Sequence, residues 1–370
     1  MTGPVPDVVV VGGGVIGCAV ARRAALGGLS VVVVERATPG AEASSAAAGM
    51  LSPLAEASRP GPFLDLLLHA RSIYPACVAA LREETGADVG YGDAGTLYLS
   101  LCEADDTELV ERHAWQSAAG LGVERLTAEE ARRLEAALNP AVRVALRFPG
   151  DHQVDNRLLA AVLWSAAARA GASFRLGAEA VSLVCEGGRA AGIGLTGGER
   201  IRAGAVVLAG GCWAGQMEGL PRPLPVHPAR GQLLALESTP PAFRHVVDSP
   251  RCYLVPRADH LIAGSTVEDA GYHKAVTPWG LRQLMDGAIE IAPGLEHAPI
   301  ASAWSGLRPR TPDGLPILGA DPEMAGLFYA TGHFRNGILL APLTGELIGG
   351  MLLGISPSLD LAPYCIERFG

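Results

Sequence analysis

The stretch DVVVVGGGVIGCAVARRAALGGLSVVVVER, Asp7 to Arg36, limits the fold more than any other part of the chain. Four consecutive valines suit a strand buried on both faces, the condition of a parallel sheet covered by helices. Gly12, Gly14 and Gly17 then form GxGxxG, small helix-forming residues run from Cys18 to Leu26, Gly27 and Gly28 stop them, and Val31 to Val34 read as a second strand ending at Glu35. Each position has a physical task. Gly12 permits the turn, Gly14 lets backbone approach a pyrophosphate at the helix N-terminus, Gly17 lets helix and strand touch, and Glu35 accepts ribose hydroxyls. The glycine spacing alone would not suffice. Gly192, Gly194 and Gly197 repeat it, but Gly198, Glu199 and Arg200 follow as a polar turn, so that copy reads as a hairpin.

The chain is 370 residues long, 49% hydrophobic and only 18% charged, with 47 Gly and 27 Pro, which suits a well-packed α/β protein of two intertwined domains. SSAAAGM, Ser44 to Met50, suits either close approach of a ligand to backbone or the start of an Ala-rich helix. Helical patterns run from Phe63 to Glu84 and from Thr107 to Ala137, beside strand-like segments at Gly95 to Leu101 and Arg143 to Gly150. Asp155 is placed to cap an Ala-rich helix that Gly171 ends, and Phe174 opens another strand. Ala203 to Gly215 reads as a buried strand running into glycines, a second backbone approach to a dinucleotide. From Leu224 to Trp304 short strands broken by Pro and Gly predict an antiparallel sheet. The expected architecture is therefore α/β (α+β): a Rossmann-like domain in three segments, 1–88, 150–222 and 306–370, with a substrate domain from 89–149 and 223–305 built on the antiparallel sheet.

A net charge of -9 with no Lys/Arg-rich run gives no source for an electrostatic grip on nucleic acid or an anionic bilayer. Seven cysteines without a CxxC pair predict reduced thiols and a cytoplasmic protein. Val8 to Ala21 has three consecutive glycines in its middle and follows Asp7, unlike a leader, and Gly337 to Gly354 contains Pro342 and Glu346, so no membrane span is expected. No HExxH motif, second His at ligand spacing or GxSxG elbow points to metal or covalent catalysis.

VVVGGGVIG, SSAAAGML, CYLVPR, GLRPRTPDGLPILG and GHFRNGILLAP together resemble the glycine oxidases of thiamine biosynthesis, within the D-amino acid oxidase superfamily, along nearly the whole chain. The resemblance implies FAD as cofactor, held at Gly12, Gly14, Val15, Ile16, Gly17, Glu35, Arg36, Ala43, Ser44, Ala48, Gly49, Met50, Val181 and the segment His333, Phe334, Arg335, Asn336, Gly337, Ile338 and Leu339. It implies Arg308 on the substrate carboxylate, Tyr253 in support and Arg335 on the substrate side of the flavin. Planar guanidinium donors suit a carboxylate. Taken alone, Arg308 and Arg335 also fit surface ion pairs, and Tyr253 sheet packing. His333 is assigned only to the flavin-binding segment.

The implied reaction takes glycine, sarcosine or D-alanine with oxygen to a 2-oxo acid, ammonia or an amine, and hydrogen peroxide. An amino-acid dehydrogenase with another acceptor and a non-catalytic flavin-binding protein are the alternatives, and homo-oligomerisation stays open. Some relatives attach flavin through a cysteine in the segment resembling Gly306 to Asp313; no cysteine lies between Cys252 and Cys365, so the FAD should be non-covalent. Val267, where the family carries methionine, and Arg251, expected on the same strand face as Tyr253 at the pocket entrance, bear on substrate size.

Overall fold

The computed structural model describes residues 4–239 and 242–370. Val8–Val11 is a central strand of a six-stranded sheet, paired in parallel with Val31–Glu35 on one side and Ala205–Leu208 on the other. Ser173–Leu176 extends it in parallel beyond Val31–Glu35; Leu327–Thr331 extends it in parallel beyond Ala205–Leu208, and Ile317–Ala320 closes that edge antiparallel. Strand alternation divides the valines. Val8 and Val10 pack into a core with the helices Val15–Leu26, Pro62–Thr85, Asn156–Arg169 and Gly337–Leu352, whereas Val9 faces a second core under a three-stranded antiparallel sheet. The second GxGxxG lies in that small sheet, where Arg189–Leu195 pairs antiparallel with Arg200–Arg202, so it is a hairpin as expected.

An eight-stranded sheet carries Ile300–Arg310, His227–Glu237, His260–Gly264, Tyr253–Pro256, Val246–Asp248, Thr96–Ser100, Val144–Phe148 and Glu124–Thr127 in that order, antiparallel except between Val246–Asp248 and Thr96–Ser100. Its alternation positions the site. Leu234 and Leu254 point to a core shared with the helix Pro278–Ile291, while Leu233, Tyr253, Val255 and Ile262 point to the opposite side with Ala48.

Two expectations need correction. Thr107 to Ala137 is broken into the helices Glu103–Ala118 and Ala128–Leu134 with the strand Glu124–Thr127 between them, because Thr127 begins a capping box with Glu130 and starts a new helix. The region from Leu224 to Trp304 also contains the helix Pro278–Ile291, with Thr277 as its N-cap. Pro62–Thr85 is long and apolar enough to cross a membrane by length and composition, yet its Leu66, Leu67, Ala70 and Tyr74 pack into the core under the six-stranded sheet.

Candidate functional site

A long cavity runs between the two large sheets, about 1790 Å³ with its open mouth. Residues of both sheets line it, from the GxGxxG turn at Gly12 to the strand that carries Arg308. One end is the GxGxxG turn. Gly12 sits at φ 104°, in the left-handed region, and a Cβ on Gly17 would lie 1.9 Å from the Gly12 carbonyl oxygen, so only glycine allows the turn to close against the helix. The helix Val15–Leu26 opens with Gly14 and has no side-chain cap and no acidic residue in its first turn, an N-terminus receptive to an anion. The Ser44 hydroxyl accepts from Val15 N–H at 3.1 Å.

Glu35 ends its strand at the cavity wall. Its Oε2 accepts from Gly13 N–H at 2.7 Å and its Oε1 from Ala37 N–H at 2.9 Å, which fixes the carboxylate for ribose hydroxyls. Arg36 lies 3.7 Å over the Trp213 ring and pairs with Glu42 at 2.7 Å. The expected second backbone approach is present, since Ala209, Gly210, Gly211 and Cys212 line the cavity beside the turn.

The other wall is the start of the helix Gly337–Leu352, which also lacks a side-chain cap. Phe334 turns the chain into it at φ 46°, a conformation costing a bulky residue about 1–3 kcal/mol. Its N–H donates to the Pro309 carbonyl at 2.9 Å, which ties this turn to the strand of Arg308. His333 is buried, and its Nε2 meets the Thr344 hydroxyl at 3.0 Å. Burial holds the imidazole down to about 3, so it is neutral and structural.

Tyr253, Ser265, Arg308, Arg335 and Glu56 line the cavity together. Arg308 donates through Nη1 to the Thr266 carbonyl at 3.0 Å and through Nη2 to the Ser265 hydroxyl at 2.6 Å. Its guanidinium lies over Gly231 on the paired strand, where a Cβ would come within 2.1 Å of Nη1. No carboxylate among the described residues lies within ion-pair distance of Arg308. Burial pulls this guanidinium down from its ordinary value, and burial also pushes the Tyr253 hydroxyl up, so the phenol stays protonated. Arg335 differs. Its Nε donates to Glu56 Oε1 at 3.0 Å and Oε2 at 2.9 Å, and its Nη2 to Oε1 at 2.6 Å.

The structure brings together Gly12, Gly14, Val15, Ile16, Glu35, Arg36, Ala43, Ser44, Ala48, Gly49, Met50, Tyr253, Arg308 and the segment from His333 to Ile338 around this cavity. Gly17 stands behind its wall, as a packing glycine should. Leu339 packs in the core instead, and Val181 lies just past the lining residues Ala178, Glu179 and Ala180 with its carbonyl accepting from Glu218 N–H. Arg251 does not reach the pocket: it belongs to a turn before the strand, where Asp105 holds it at 2.8 and 2.9 Å and Glu290 at 2.6 Å. Val267 is exposed and outside the lining as well. Glu56, Ser265, Gly231 and Trp213 were not anticipated. Only Trp213 falls in a segment marked beforehand as a dinucleotide approach, Ala203 to Gly215; the short helix Pro53–Glu56, the strand His227–Glu237 and the residue after His260–Gly264 meet it only in the folded chain.

The sequence model of a family described as FAD dependent oxidoreductase matches residues 7–351. The chain is 38% identical to the glycine oxidase of Geobacillus kaustophilus over 98% of this chain and 97% of that one, and the crystal structure of that protein superposes with a TM-score of 0.93, covering 98% of each chain. It is also 38% identical to the bifunctional protein ThiO/ThiG of Trichormus variabilis, over 98% of this chain and 55% of that one. An iminodiacetate oxidase from Chelativorans shares the fold at TM-score 0.88 and 31% identity, covering 97% of this chain and 98% of that one.

Proposed function

This chain belongs to the DAO family of FAD-dependent oxidoreductases, and from that premise we propose that it oxidises glycine and other small amino acids, with Arg308 holding the substrate carboxylate. It is an FAD-dependent amine oxidase. Its own residues fit FAD: the helix N-termini at Gly14 and Asn336, whose N-cap residues make no side-chain cap and whose first turns hold no acidic residue, suit negatively charged parts of the cofactor, and Glu35 suits a ribose. We assign the expected cofactor contacts to the cavity-lining positions and to the backbone next to Val181 and Leu339. The two large sheets support FAD binding by 1–88, 150–222 and 306–370 and substrate binding by 89–149 and 223–305.

The observation that carries the reading is the Arg308 guanidinium, unpaired and pinned between Gly231, Thr266 and Ser265 beside the protonated Tyr253. Arg308 is half-buried with no carboxylate partner among the described residues, and a substrate carboxylate supplies one through two parallel hydrogen bonds. Clamping the carboxylate fixes where the Cα substituents point. Bound FAD supplies the two-electron acceptor that oxidises the amine and passes the electrons to oxygen. The amino acid, oxygen and water thus become a 2-oxo acid, ammonia or an amine, and hydrogen peroxide; for glycine the acid is glyoxylate. Likeness to ThiO/ThiG supports a place in thiamine thiazole synthesis.

Peroxide release from glycine, sarcosine, D-alanine, D-proline and L-alanine tests this. Glycine and sarcosine should be good substrates and D-alanine comparable or somewhat weaker. L-alanine should fail, because inverting Cα with the carboxylate held turns its hydrogen away from the cofactor. Strong activity on L-alanine, or preference for large D-amino acids, would overturn the proposal. Reduction of the enzyme by glycine without oxygen consumption would instead assign a dehydrogenase.

A further inference from the structure

Two guanidiniums face the substrate end of the cavity, and they are in different states. Arg308 has no carboxylate partner among the described residues, while Arg335 is held by both oxygens of Glu56. Arg308 lies in the field of both Arg335 and Glu56, so the three charges form one electrostatic cluster. Its sum is one positive charge.

Glu56 is mounted firmly. It ends the short helix Pro53–Glu56, and a buried cation from the helix Glu103–Ala118 collects carbonyls on both sides of Glu56: Arg112 Nη1 donates to Leu54 at 3.1 Å, Ala55 at 2.8 Å and Ala57 at 2.9 Å. Gln116 Nε2, fully buried, donates to Leu54 at 2.8 Å, and Ala55 N–H donates to the buried Asp151 at 3.3 Å. The chain on either side of the carboxylate is therefore held by side chains from other parts of the fold. Asp248 is buried within the field of the pair; desolvation first and the Glu56 charge second push its carboxyl up to about 7.

We propose that Glu56 is a specificity-determining residue: by occupying Arg335 it leaves a single guanidinium for a single carboxylate, and it turns away amines that carry a second one. This rests on the reading of Arg308 as the carboxylate clamp. A substrate with one carboxylate leaves the cluster neutral. A dicarboxylate such as iminodiacetate must bring its second charge up to Glu56 or break the Glu56–Arg335 pair, and either course meets like-charge repulsion in a partly desolvated site. Removing the Glu56 charge frees Arg335 as a second fork.

The test compares wild-type holoenzyme with Glu56→Gln, which keeps the shape without the charge, and Glu56→Asp, which keeps the charge. Peroxide assays give kcat/KM for iminodiacetate relative to glycine; titration with malonate and with acetate, followed by the flavin absorbance change, gives relative Kd without turnover. Glu56→Gln should raise both the iminodiacetate-to-glycine ratio and the malonate-to-acetate affinity ratio about tenfold or more. Glu56→Asp should stay near wild type. Unchanged ratios in Glu56→Gln, or the same rise in Glu56→Asp, would overturn the proposal. If the wild type released no peroxide from glycine, the oxidase reading would fall while the malonate and acetate titrations still decided the role of Glu56.

Discussion

Replacing Arg308 by Ala removes the guanidinium at the substrate end that has no carboxylate partner among the described residues. The side chain makes hydrogen bonds to Thr266 and Ser265 and rests over Gly231, so its loss leaves backbone and hydroxyl acceptors that water can reach from the cavity, and the sheet pairing of its strand is untouched. Arg335 cannot stand in for it, because Glu56 already engages its Nε and Nη2. A bound carboxylate would therefore be stranded, at a cost of about 3–5 kcal/mol, or about 150- to 5,000-fold in kcat/KM. The loss should fall on both KM and kcat, since the clamp binds the substrate and also orients Cα. Arg308→Lys restores the charge without the planar fork and should lie between Ala and wild type. Initial rates of peroxide release with glycine give kcat/KM, and the flavin-to-protein absorbance ratio checks that FAD is retained. An FAD-loaded Arg308→Ala enzyme working within about tenfold of wild type would refute the assignment.

Three further outcomes are expected. Gly231→Ala would place a Cβ within 2.1–2.4 Å of the Arg308 guanidinium, the mobile end of its side chain; the protein should fold and keep FAD, but KM for glycine should rise as the guanidinium is displaced, which steady-state kinetics will show. His333, held down to about 3 by burial, refuses a proton that the unfolded chain takes up below about 6.5, so its contribution to stability is lost as pH falls through that window. Between pH about 6.5 and 5 this amounts to about 1.6 kcal/mol, and urea unfolding of His333→Asn should be flatter in pH by that amount. Acid precipitation of the holoenzyme should leave all flavin in the supernatant as free FAD, because no cysteine lies between Cys252 and Cys365; flavin in the pellet would contradict non-covalent binding.

The sequence by itself determined those features whose causes are local. Four valines, three glycines at fixed spacing, an alanine-rich run and Glu35 specify strand, turn, helix and strand through steric and periodic rules that act within a few residues, and the same rules exposed the second GxGxxG as a hairpin. The cap at Asp155 and the stop at Gly171 were legible for the same reason. The charged residues were not. Arg251 looked like a pocket residue by strand alternation, but the strand begins only at Tyr253, and Asp105 and Glu290 draw the guanidinium elsewhere. Arg308 and Arg335 are both plain arginines near glycines in sequence. Only the tertiary structure decided that Arg308 would meet no carboxylate among the described residues while Arg335 met Glu56, 279 residues away. An ion pair falls off with the distance between its ends, and that distance is set by the folding of all the chain between them, so no pattern along the sequence records it.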